Sequence, residues 1–239
     1  MSTRYNIDGK VYTADYMRDT YRKYFEKALE VFNYYFNLNI PIHLKKISVI
    51  IPSETSGISS DSTKGPLDQD IIVNSELHLK LKTGPTDISV YDILHTSPAH
   101  EAAEGIFYHV RLNLDKPEVA TKKVGLTKQE YVFYRVFSEM FSEIYCTIFC
   151  DTTDLKFTPL PEYSWFSRVV KRKRESPEFK AFYGIARGES KLLRHESIEF
   201  RVAFLRALLF QRFDPLEEDI TISIKKEFRK AFDYARKRA

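Results

Sequence analysis

Ser97-Pro98-Ala99-His100-Glu101-Ala102-Ala103-Glu104 is the stretch on which the reading of this chain turns. Ser97 followed by Pro98 is a helix start: Ser97 can cap, and Pro98 suits the first helical position, where its missing N–H is not needed. On the helix that follows, His100 and Glu104 stand one turn apart and project from one face. Two ligating side chains at that spacing can hold a single metal ion. Glu101, next in angle, can lean over the same ion as a general base. A carboxylate can ligate zinc, so Glu104 is chemically acceptable where a second histidine is commoner. The competing reading is that Glu101 and Glu104 merely solvate a helix face.

Downstream, Thr127-x-x-Glu130 is a capping-box start. It predicts a long helix to about Cys150, with Tyr131, Tyr134, Phe137, Phe141 and Ile144 among its apolar residues. That helix carries Glu139-x-x-Ser142-Glu143. Glu139 can reach across to an ion held by the first helix, and Glu143 can accept the free ring N–H of a ligand histidine and fix its tautomer. Glu139, Glu143, Cys146 and Cys150 fall on one stripe, the spacing of an inward-facing seam. Acids on such a seam need partners, and Arg135 or surface lysines are the alternative to a metal. Cys146 and Cys150 read as small core residues rather than ligands.

Upstream, Met17, Tyr21, Tyr24, Phe25, Ala28, Phe32, Tyr35 and Phe36 recur at three- and four-residue spacing and predict a helix over 14–38. Residues 46–51 are a β-branched run ending at Pro52. The Ser/Thr/Gly-rich residues 53–65 read as a mobile loop, and residues 70–81 as a second strand. A short helix from Asp87 to His95 precedes the Ser97-Pro98 start, and the motif helix runs to about Leu112. Residues 151–162 form a Thr/Pro/Asp-containing loop and the best internal boundary. Beyond it the pattern is mostly helical, near 165–174, 177–185, 198–212 and 224–237.

The composition sets the outer limits. Only 8 glycines in 239 residues argue for long regular elements over a many-turned β sandwich. No apolar run approaches the roughly 18 residues of a membrane span, and the polar N-terminus lacks a secretory pattern. Two cysteines four apart on a helix are no disulfide framework, so a cytoplasmic setting without membrane association is expected. The net charge of +4 is uneven: residues 164–239 hold 19 Lys/Arg against 11 Asp/Glu, leaving −4 for residues 1–163. Lys171, Arg172, Lys173 and Arg174 are the densest basic run, with Trp165 and Phe166 nearby. That makes nucleic acid a candidate partner, beside the plainer reading of a solvated helical surface.

The order of helix, two strands, a His-Glu-x-x helix and a following Glu-x-x-small-acid helix resembles the gluzincin metallopeptidases, over roughly residues 14–150. Residues 65–74, Gly-Pro-Leu-Asp-Gln-Asp-Ile-Ile-Val-Asn, resemble the substrate-lining edge strand of that family. The resemblance implies a zincin-like α+β fold, helix-rich with a small mixed sheet, over residues 1–155; the basic helical subdomain expected over 156–239 lies outside the resemblance. It implies His100, Glu104 and Glu139 as ligands of one ion, zinc or another divalent metal such as manganese. Glu101 would be the general base and Glu143 the support of the histidine. A metal-dependent hydrolase acting on peptide or protein is the expected function, with Tyr145, Tyr163 and His195 as candidate oxyanion stabilisers. The alternative is a catalytically inactive scaffold that binds a partner or nucleic acid through its basic C-terminal helices.

Overall fold

A computed structural model describes residues 2–7, 9–38, 40, 42–50, 59–63, 73–80, 90–112, 125–155 and 193–239. Strands β1 (Arg4–Ile7) and β2 (Lys10–Thr13) form an antiparallel hairpin. Gly9 in its turn has a φ of +75°, a conformation that side chains with a Cβ rarely adopt. Helix α1 (Ala14–Phe36) follows, capped by the Thr13 side chain, which accepts from Tyr16 N–H at 3.1 Å. It closes on Asn37 in the left-handed conformation. Most of the periodic apolar residues do what their spacing predicts: Met17, Tyr21, Phe25, Ala28, Phe32 and Phe36 are buried along one face, with Tyr24 and Tyr35 partly buried beside them.

Strands β3 (Ile42–Ile50), β4 (Ser59–Thr63) and β5 (Val73–Lys80) form a three-stranded mixed sheet in the order β3-β5-β4. β5 pairs in parallel with β3, Ile42 opposite Val73, and antiparallel with β4, Thr63 opposite Glu76. One expectation is corrected here. Residues 59–63, within the stretch read as a loop, are a strand. Of residues 65–74, read as an edge strand, only Val73 and Asn74 are described: they pair with Ile42 and His43 across the parallel ladder, while β4 pairs with β5 only between Glu76 and Lys80.

Helices α2 (Val90–His95) and α3 (Ser97–Leu112) are separated by Thr96. The Thr96 carbonyl accepts from Ala99 N–H at 3.1 Å and His100 N–H at 3.4 Å. Pro98 cannot donate backward, which is why the chain restarts there instead of continuing. Helix α4 (Lys128–Thr153) opens with both halves of the capping box, Thr127 Oγ1 accepting from Glu130 N–H and Glu130 Oε2 accepting from Thr127 N–H at 2.7 Å. Helices α5 (Ile198–Phe210) and α6 (Ile220–Arg236) complete the described chain. The segments expected near 165–174 and 177–185 lie outside the described residues.

Among the described residues the fold is helix-rich α+β. One hydrophobic cluster joins α1, α3, α4, α5 and α6, with Leu44 and Ile47 entering from β3. Phe32 meets Tyr145 at 5.4 Å between ring centres, Phe107 meets Phe141 at 5.6 Å, and Phe133 meets Phe213 at 5.0 Å. α4 is the axis of this core, with every residue from Val136 to Cys150 buried. The chain beyond 193 is tied in by buried polar contacts as well. Arg201 donates to Thr147 Oγ1 at 2.6 Å and pairs with Asp151, while Arg111 donates to the carbonyls of Leu209 and Gln211 and stacks on Phe213. No helix among the described residues is long and apolar enough to cross a membrane.

Candidate metal centre

α3 and α4 pack against each other along an antiparallel seam. Most of the interface is apolar, with Ala102, Ala103, Ile106 and Phe107 buried on α3. One stripe is not. His100, Glu104 and Tyr108, each one turn from the next, face Arg135, Ser138, Glu139, Glu143 and Cys146. Glu139, Glu143, Cys146 and Cys150 are 1%, 7%, 4% and 1% exposed, on a helix buried on every face from Val136 to Cys150.

His100, Glu104 and Glu139 each offer one ligand atom, and these atoms all lie within 4.8 Å of one another. His100 Nε2 is 3.3 Å from Glu139 Oε2, and the opposite ring nitrogen, Nδ1, is 4.0 Å from Glu143 Oε1. The imidazole thus lies between two acids of α4, one on the side of the three-residue cluster and one behind it. Glu139 Oε2 is buried and makes no well-aligned hydrogen bond, a costly arrangement for a carboxylate oxygen unless a cation faces it. This group can hold a metal ion.

The cluster also carries its own cations. Arg135 reaches Glu139 Oε1 at 3.4 Å and Glu104 Oε1 at 3.9 Å. Arg194, just ahead of α5, reaches Glu143 Oε2 at 3.5 Å. Burial opposes charge on His100, but its contacts with Cys146 and Glu139 outweigh that and hold its pKa well above the ordinary histidine value. Burial pushes the Cys146 thiol up, with Glu143 and Glu101 adding to the shift against the pull of His100. Glu101, half-buried, thus sits near the His100 end of the seam.

Tyr108 and Arg194 belong to this neighbourhood and were not anticipated. The Tyr108 hydroxyl lies 2.9 Å from Ser138 Oγ, and burial raises its pKa well above the ordinary tyrosine value, so it stays a neutral phenol. Its signal was available, because it continues the stripe of His100 and Glu104 by one more turn. Arg194 had no such signal, since nothing in its local sequence points to an acid on α4.

Other expected residues fall elsewhere. Tyr145 is fully buried and donates its hydroxyl to the Ala28 carbonyl on α1, so it is not available as an oxyanion stabiliser. His195 is exposed in the turn before α5. His95 is stacked on Tyr91 at 4.1 Å and packed against Tyr24 at 4.5 Å, with Nδ1 at 2.7 Å from the Tyr91 carbonyl. Tyr163, Trp165, Phe166 and the basic run Lys171, Arg172, Lys173 and Arg174 lie outside the described residues.

No protein-family model, no curated protein and no solved structure matches this chain.

Proposed function

We propose that this chain is a metal-dependent hydrolase of zincin-like type, with peptide or protein as substrate. His100, Glu104 and Glu139 would hold one divalent ion, zinc or manganese. The observation that carries the reading is the meeting of three ligating side chains from two helices, at a spacing suited to an ion. Two ligand atoms about 2.0–2.1 Å from a tetrahedral zinc lie about 3.3–3.4 Å apart, and His100 Nε2 and Glu139 Oε2 are 3.3 Å apart. When bound, the ion supplies Lewis acidity and lowers the pKa of a water molecule. Two carboxylates and one imidazole favour harder ions more than a two-histidine site does, which is why manganese stands beside zinc.

The chain's own residues have separate tasks in this proposal. Glu101 takes the proton from the attacking water and returns it to the leaving group. Glu143 accepts from His100 Nδ1–H and so directs Nε2 at the ion, and Arg194 keeps Glu143 in place. The experiment is Glu101→Gln. Metal content should be unchanged, while cleavage of a mixed peptide library falls by about 10²–10⁴-fold. Protein purified without chelator that contains no metal, and binds none by calorimetry, would end the proposal.

A second reading is favoured by one specific contact, the bridging of Glu104 and Glu139 by Arg135. In it the seam is a self-neutralised ion network in a non-catalytic scaffold, and function lies in binding through the basic C-terminal helices. Metal content separates the two readings directly.

A further inference from the structure

Arg135 stands one turn ahead of Glu139 on α4, with its side chain 13% exposed. Its two terminal nitrogens divide between two acids: Nη2 lies 3.4 Å from Glu139 Oε1 and Nη1 lies 3.9 Å from Glu104 Oε1. Neither contact is as short as a well-formed charge-assisted hydrogen bond, about 2.7–2.9 Å. The guanidinium straddles the pair without clamping either acid. The oxygens of Glu139 are shared out, Oε1 toward Arg135 and Oε2 toward His100. Arg135 therefore touches the same two carboxylates that, with His100, form the metal-sized cluster.

We propose that Arg135 is a resident competitor for the ion, neutralising Glu104 and Glu139 when no metal is bound and weakening metal binding when one is. The inference rests on the metal-site reading above and adds to it a means of setting affinity. Glu139, buried, and Glu104, partly buried, would repel each other, and Arg135 between them lowers that cost in the bare protein. The same charge then repels an incoming dication at close range, where interior screening is weak. The ion must either displace the guanidinium from both acids or bind beside it. Each route makes the site weaker and more readily reversible than its ligands alone would be. A permanently charged arginine performs this task at any physiological pH, as a lysine or histidine could not be relied on to do.

The test is calorimetric titration of the full chain, as wild type, Arg135→Gln and Arg135→Lys, with zinc chloride and separately with manganese chloride. Metal-induced shifts in Tm are measured alongside. Arg135→Gln should bind both ions about tenfold more tightly or better, with a larger rise in Tm on adding metal. Arg135→Lys should fall between the two, because an ammonium keeps the charge but cannot span both acids. If Arg135→Gln is unfolded without metal, near-ultraviolet circular dichroism should show it fold when zinc chloride is added, and failure to do so overturns the proposal. Wild type that binds zinc, with Arg135→Gln binding equally or more weakly, overturns the competitor role and leaves the metal site standing. No binding by any of the three proteins removes both.

Discussion

Arg194 lies 3.5 Å from Glu143, and through that ion pair the chain beyond residue 193 reaches the acid behind His100. The candidate site is thus built from three parts of the sequence, α3, α4 and the turn before α5. The sequence alone pointed to the first two.

This relationship sets an order of effects on metal affinity. Glu143→Gln should weaken binding by about 10–100-fold, since it alters the group that orients a ligand histidine. Arg194→Ala should act in the same direction but less, because it only loosens Glu143. Calorimetric dissociation constants for the two variants check the order, and an Arg194→Ala effect larger than that of Glu143→Gln would mean that Arg194 acts on the site by another route.

Glu104→His should shift the site toward zinc. Imidazole competes better than carboxylate for zinc and worse for manganese. The substitution also takes one acid away from Arg135, which removes part of the guanidinium's hold on the cluster. Competition between the two ions, read by metal analysis after dialysis against an equimolar mixture, should show a higher zinc share than in wild type. An unchanged ratio would argue that residue 104 is not a ligand.

Asp214, paired with Lys226 and Lys230 of α6, gives the chain an acid-sensitive contact outside the metal-sized cluster. Hydrogen bonds from Lys230 and then Lys226 hold its carboxyl below the ordinary aspartate value of about 4. A depressed folded-state pKa contributes stability above the unfolded value, and that stability is lost as pH falls through the folded value. Asp214→Asn should therefore lower Tm slightly at pH 7 and make little difference once pH drops well below 4. The effect is small because these groups are largely solvent-exposed. Paired thermal melts at the two pH values check it, and a difference that grows on acidification would reverse the assignment.

Much of the helical framework was legible because its signals are local. Thr127 and Glu130 lie within one turn, and the apolar spacing of α1 is regular from Met17 to Phe36. The stripe bearing His100 and Glu104, and the one bearing Glu139 and Glu143, could be read for the same reason. β4 was hidden because Ser59-Ser60-Asp61-Ser62-Thr63 has no apolar alternation; it joins the sheet through its backbone pairing with β5. The central position of β5 was equally hidden, since strand order depends on where distant segments return. Tyr145 reads in the sequence as a candidate oxyanion stabiliser, yet its hydroxyl turns to Ala28 across the core. Contacts of that kind depend on how whole helices are set against one another.

The unbroken burial of α4 from Val136 to Cys150 has a consequence for how the candidate centre moves. Amide hydrogens on a helix enclosed on every side exchange with solvent through global opening far more than through local fraying. Glu139 and Glu143 are anchored on that segment, so they share its rigidity. His100, by contrast, is carried in the opening turn of α3, beside the break at Thr96. Rearrangement at the centre should therefore come from the α3 side, with α4 acting as the fixed wall against which the imidazole is adjusted.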